Sequence, residues 1–234
     1  MFSWETTVAF FETFIEEKYY MTLLSGIQET LLLTLIATII GLIIGIIIAM
    51  VQVAEFPNRY KWLEAILKKI AKLYVDLIRG TPAIAQVSFI WLVILRSSSM
   101  PRAIVGGIAF GINSGAYMSE PIRAGIQGID KGQMEAGRSL GLSYAQTMKL
   151  IIIPQAFRQM LPAFVSEFII LIKETAVIGM IGGRDIMRAS SIMMTDTGNF
   201  LWPILIATAT YLVLTSIFTF VMRMVEKKIN KGRF

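Results

Sequence analysis

Apolar residues gather in long blocks, and the polar residues between them set where each block ends. Leu31 to Val51 is the first unambiguous block, 21 residues without a charge and long enough to cross a bilayer as a helix. Ala37, Gly41, Gly45 and Ala49 recur at every fourth position within it. They predict a stripe of small residues on one side, against which another helix backbone packs closely in lipid. Phe200 to Met222 is a second charge-free block near the end of the chain. Three weaker blocks lie between them. Asp76 to Leu95 begins with Asp76 and Arg79 and holds Thr81, Pro82 and Gln86; Ala103 to about Ser119 is glycine-rich around Asn113 and Ser114; Met160 to about Met180 carries Glu167, Lys173 and Glu174. Five spans place the two ends of the chain on opposite sides of a membrane.

The segments between blocks assign the sides. Residues 1–20 are amphipathic and acidic, with Phe10, Phe11, Phe14 and Ile15 on one helix face. They read as a short interfacial helix, with Trp4, Tyr19 and Tyr20 at headgroup level. No basic start, long apolar core or small-residue cleavage site is present there, so a removable signal peptide is not expected. Asn58 to Lys72 is basic and reads as a cytoplasmic loop; Arg96 to Arg102 reads as a short external turn, and Gly179 to Asn199 as an external loop with short helices. Lys227, Lys228, Lys231 and Arg233 close the chain on the cytoplasmic side. With the amino terminus outside, sixteen of the 22 Lys and Arg residues fall inside, as positive-inside topology requires. Three units follow: an amphipathic external segment over 1–25, a membrane domain over 26–225 and a basic cytoplasmic tail over 226–234. No internal sequence repeat divides the chain, so any twofold symmetry requires a second subunit.

The longest helix-periodic stretch too polar for a bilayer is Glu135 to Pro154. Leu140, Tyr144, Met148 and Ile151 recur in it at three- and four-residue steps, Gly141 invites a tight turn, and Ser143 is placed to cap a second helix that Pro154 stops. Two short amphipathic helices joined at a glycine turn are predicted, lying at a membrane surface.

Composition narrows the chemistry. The chain is 55% hydrophobic and 16% charged, with a mean hydropathy of +0.66, far too apolar for a soluble domain of this length. With neither cysteine nor histidine, disulfides, thiolate or imidazole metal sites and Cys- or His-based catalysis are excluded. The net charge of +6 sits beside apolar spans, a sign of membrane topology rather than of nucleic-acid binding. Gly106 to Gly111 is no nucleotide fingerprint, because no strand precedes it, and no phosphate-binding Gly-Lys loop occurs elsewhere.

Four segments in order resemble one family. Arg79-Gly80-Thr81-Pro82 with Gln86, Tyr117 to Ile126, Glu135-Ala136-Gly137 with Gly141 and Ile151, Ile153 and Pro154, and Ser166 to Thr175 are similar to the motifs of permeases of polar amino-acid ABC importers. Gly137 and Ile153 depart from the family's Ala and Leu, and Pro121, unusual in its segment, predicts that its helix ends or bends there. The resemblance covers about Gly26 to Arg223. It implies an all-α polytopic membrane protein of the type I importer fold, with about five transmembrane helices plus cytoplasmic coupling helices, in a bacterial plasma membrane. It further implies a second permease chain, an ABC ATPase dimer that binds ATP and Mg, an extracytoplasmic solute-binding protein and a polar amino-acid substrate. No cofactor and no enzymatic activity are implied for this chain. Glu135, Ala136, Gly137, Gly141 and Pro154 become the coupling residues.

For the substrate, charge at depth is the guide, because an intramembrane carboxylate costs about 3 kcal/mol to insert. Glu167 is assigned to an amino acid's ammonium, with Thr81, Gln86, Asn113 and Ser114 as neutral donors for its carboxylate. On a continuous helix Thr81 and Gln86, five apart, diverge. Lys173 with a neighbouring carboxylate, and Glu120 with Arg123, read as ion pairs. A stand-alone channel or ion-coupled transporter accommodates the buried charges but leaves Glu135 to Pro154 unexplained; an intramembrane hydrolase lacks a nucleophile–base pair.

Overall fold

A computed structural model describes residues 3–230 and is all-helical over them, so expectations for Lys231 and Arg233 lie outside the described residues. Helix α1 (Trp4–Glu16) is capped by Ser3 and turns at Lys18, in left-handed backbone, into the long α2 (Tyr19–Val53). Of the six aromatic residues read as interfacial, Phe10, Phe11, Phe14 and Tyr19 contact other side chains of the protein. Phe10 is buried in a cluster with Tyr19 and Met193, and Phe14 packs on it. Tyr19 donates from its hydroxyl to Asp196 at 3.1 Å.

Helix α2 buries Ala37, Gly41, Gly45 and Ala49, the small-residue stripe, and runs along α5 (Arg102–Gln127). The approach is close enough that a Cβ on Gly111 would lie 2.6 Å from Ile40 Cβ. Any larger residue there separates the two backbones. Most of α5 is enclosed by protein: Gly106, Gly107, Asn113, Ser114, Gly115 and Met118 are all buried. Of the end or bend expected at Pro121, the end is absent: the helix carries that proline within it to Gln127. Neighbouring helices make such a proline tolerable in a membrane bundle.

The basic stretch after α2 is a helix rather than a loop. α3 (Lys61–Arg79) turns Ala71 and Val75 inward, exposes Trp62, Ile66, Ile70, Leu73 and Leu77, and carries its lysines on a third side. Charges interleaved with those apolar positions hid the 3.6-residue period. Near its start Glu64 accepts from Phe56 N, Lys61 and Lys68 at 2.8–2.9 Å. After Gly80-Thr81-Pro82 the chain resumes as α4 (Ala83–Phe89) and a π-helical turn over Ile90–Ile94, bent 106° from α3. The second expected span is therefore a broken one.

Helices α6 (Lys131–Ser139) and α7 (Tyr144–Thr147) form a hairpin, and a π-helical turn over Met148–Ile152 leads into α8 (Ile153–Glu174). Pro154 does not stop this run; it is the second residue of α8, directly after the π-helical turn. Short α9 (Ala176–Met180) and α10 (Ile186–Thr197) precede α11 (Leu201–Asn230), which runs through the expected tail boundary at 225/226. By length and hydropathy, α2 and α11 can cross a membrane, and the bent α3–α4 pair makes up to three. Helices α5 and α8 are long enough but too polar for that test. For α5 the reason is visible, since it lies inside the bundle rather than against lipid.

Candidate functional site

The sequence-derived polar residues meet where the chain breaks between α3 and α4. Pro82 has no N–H to give the carbonyl of Ile78, and Gln86 supplies the replacement, its Nε2 donating to Ile78 O at 2.7 Å. The same amide nitrogen reaches Thr81 Oγ1 at 2.6 Å and Thr81 O at 3.1 Å, while the Thr81 hydroxyl donates to Leu77 O at 2.8 Å. Thr81 and Gln86 do not diverge, because the break folds them together. Gln86 Oε1 then accepts from Asn113 Nδ2 at 2.7 Å, tying the break to α5.

The next residue of α5 faces the other way. Ser114 is fully buried and donates from its hydroxyl to Glu167 Oε1 of α8 at 3.1 Å. No hydrogen bond to Glu167 Oε2 is present among the described residues. Two adjacent residues of α5 thus join a polar belt running from α4 through α5 to α8. The expected Lys173 pair is not formed: among the described residues every ion pair involves Glu64 or Glu120, and Lys173 is exposed on the last turn of α8. The Glu120–Arg123 pair is formed, with Arg123 Nη2 2.9 Å from Glu120 Oε2. Arg79 joins it at 3.8 Å and lies 5.6 Å from the centre of the Tyr117 ring, so two of the sequence motifs touch. Tyr74 was not anticipated; its hydroxyl donates to Ile112 O and ties α3 to α5. Its place on the inward arc of α3, between Ala71 and Val75, was the available signal.

The hairpin forms the second candidate region. Asp130 caps α6 by accepting from Gly132 N at 2.7 Å. Ser143 and Gln146 make a reciprocal capping box on α7, as the serine's position implied. Gly141 lies between them at φ +85°, where a side chain is strained. Gly137 is buried against the second arm: a Cβ there would lie 2.5 Å from Thr147 Cγ2. Here the family's Ala is sterically disfavoured and Gly fits. Met148 and Ile152 anchor the hairpin in an apolar cluster with Ala49 of α2, Ile122 and Ile126 of α5 and Ala156 of α8. Tyr144 and Ile151 pack on this cluster, but Leu140 does not share their face. It is 81% exposed at the tip, because α6 ends there and the Gly141 turn reverses the chain. Glu135, Ala136 and Pro154 are exposed too. The hairpin is therefore fixed at its base and open at its tip, and the ends of α2, α5 and α8 share its anchor.

Residues 41–231 match the family described as the binding-protein-dependent transport system inner membrane component. The putative glutamine transport system permease protein of Rickettsia typhi is 42% identical over 166 residues, covering 70% of this chain and 76% of the relative. The arginine transport system permease protein of Bacillus subtilis is 40% identical over 165 residues, covering 70% and 75%. Among solved structures, an amino acid ABC transporter crystallised with histidines superposes with a TM-score of 0.79 at 36% identity, over 91% of this chain and 96% of that one. An inward-facing methionine ABC transporter, at 17% identity and a TM-score of 0.73, shares the fold.

Proposed function

The chain belongs to the inner membrane components of binding-protein-dependent transport systems, the permease subunits of ABC importers, and from that premise we propose that it carries a polar amino acid into the cell. The α6–α7 hairpin supports the coupling half of this reading. Its exposed tip, around Glu135, Ala136, Gly141 and Leu140, is the surface for a partner ATPase, which binds ATP and Mg. Its base shares one apolar cluster with α2, α5 and α8, so a displacement of the hairpin is passed to the bundle. In alternating access, ATP-driven closure of two ATPases moves two such hairpins, one from each permease of a pair, and an external solute-binding protein delivers the substrate.

One observation carries the substrate half: Glu167 is held by Ser114 through a single carboxylate oxygen, and no hydrogen bond to the other oxygen is present among the described residues. An ammonium matches the remaining oxygen. Thr81, Gln86 and Asn113 supply the neutral donors, and a substrate carboxylate exchanges with bonds they make to one another, which permits release. Relatives named for glutamine and arginine transport agree in class. A channel, by contrast, has no use for a rigid hairpin with an open tip.

In the proposed orientation the hairpin and the end of α11 are cytoplasmic, and α1 is outside. The test is thiol labelling, which the absence of native cysteine makes clean. Gln133→Cys is expected to react only from the cytoplasmic side and Ser98→Cys only from outside. Reaction of Gln133→Cys from outside intact cells contradicts the orientation, and failure to copurify with an ATPase contradicts the importer assignment.

A further inference from the structure

Six residues beyond Ser114 along α5, about 9 Å at ~1.5 Å per residue, a polar cavity of about 360 Å³ opens between α3 and α5. Gln52, Lys72, Asp76, Glu120, Arg123 and Gln127 line it. Asn113, Tyr117, Glu120 and Gln127 follow one another on the same face of α5. The cavity therefore continues the line of the polar belt towards the hairpin. Its size falls within the ~300–1,000 Å³ typical of small-molecule sites.

Its charges are mixed and only partly spent. Arg123 hydrogen-bonds Glu120, Nη2 to Oε2 at 2.9 Å, so these two charges are spent on each other. Arg123 also donates to Gln127 at 2.8 Å, and Lys68 at the margin is committed to Glu64. Lys72 and Asp76, one turn apart on α3, have no ion pair among the described residues. Gln52 Oε1 is buried there without a hydrogen-bond partner among the described residues. An unspent cation and an unspent anion on one wall suit a molecule that carries both charges. A simple anion meets Asp76 and Glu120 as well as the bases, and gains little.

We infer that this cavity is a second amino-acid subsite on the hairpin side of the belt, where Asp76 takes the ammonium and Lys72 the carboxylate of a zwitterion. It is the station a substrate occupies between leaving Glu167 and reaching the cytoplasm. The inference rests on the orientation proposed above, which Gln133→Cys labelling tests separately.

The assembled transporter, in nanodiscs of phosphatidylglycerol, tests it through Gln127→Cys in the otherwise cysteine-free chain. L-Glutamine at twice its dissociation constant is expected to slow thiol modification about threefold, and N-acetylglutamine amide, which lacks both charges, to have no effect. Asp76→Asn and Lys72→Gln should each abolish the protection, the second serving if the first does not assemble. Glu167→Gln should preserve it. Protection that survives both cavity variants, or that vanishes with Glu167→Gln alone, overturns the second site. So does protection by phosphatidylethanolamine, whose headgroup carries the same pair of charges, in place of L-glutamine.

Discussion

The hairpin and the polar belt are both built from polar residues in an apolar protein, yet they spend their hydrogen bonds in opposite directions. In the hairpin the bonds are local, Asp130 to Gly132 and Ser143 with Gln146, and they leave the tip uncommitted. In the belt they are long-range, Gln86 to Asn113 and Ser114 to Glu167, and they commit nearly every group before a ligand arrives. A surface for a protein partner has to be rigid and open. A site in the middle of a bundle has to stay satisfied when empty, because an unpaired polar group there costs about 1–3 kcal/mol.

The largest expected effect breaks the hairpin side. Gly141→Pro forces φ from +85° to about −65°, which opens the turn between α6 and α7. Substrate-stimulated ATP hydrolysis in a reconstituted complex should fall by about tenfold or more, with membrane insertion unchanged. Stimulation at the normal level removes the hairpin from the coupling route.

On the belt side, Gln86→Leu should cost stability before it costs anything else. It strands the Ile78 carbonyl and the Asn113 amide at once, a loss of about 1–3 kcal/mol seen as a lowered melting temperature of the purified complex. An unchanged melting temperature shows that the break is held by other contacts.

A finer probe returns to the hairpin. Gly137→Ala restores the family's residue, but its methyl meets Thr147 Cγ2, so the hairpin should lose about 1–3 kcal/mol through overpacking. Gly137→Ala with Thr147→Ala should recover most of that loss in thermal unfolding. Without recovery, the account of why glycine stands here fails.

The same contrast explains what the sequence made legible. Local signals read correctly: Gly141 as a turn, Ser143 as a cap, and the small-residue stripe of α2 along its buried side. They fail where a distant partner decides. Pro154 looked like a helix end and Pro121 like an end or a bend, yet the helical run continues through both. Phe10 looked lipid-facing until Met193 and Tyr19 covered it. Thr81 and Gln86 were chosen as polar residues at depth, but their five-residue spacing on a straight helix concealed their contact. Only the break at Gly80–Pro82 brings them together, and the amide that completes it lies one turn past the proline. Lys72 and Asp76 were hidden because the sequence reading put one at the end of a loop and the other at the start of a span, whereas one helix carries both.

The central claim is that energy enters through the hairpin while the substrate passes through the belt. It is tested most directly by measuring ATP hydrolysis and amino-acid uptake in the same proteoliposomes for Glu135→Lys and Glu167→Gln. Glu135→Lys alters an exposed residue of the hairpin and should abolish both substrate-stimulated hydrolysis and uptake. Glu167→Gln keeps the shape of its side chain and should lower uptake by about tenfold or more while basal hydrolysis continues. The contradicting result is Glu167→Gln transporting at the normal rate with unchanged substrate affinity, or Glu135→Lys retaining full stimulation.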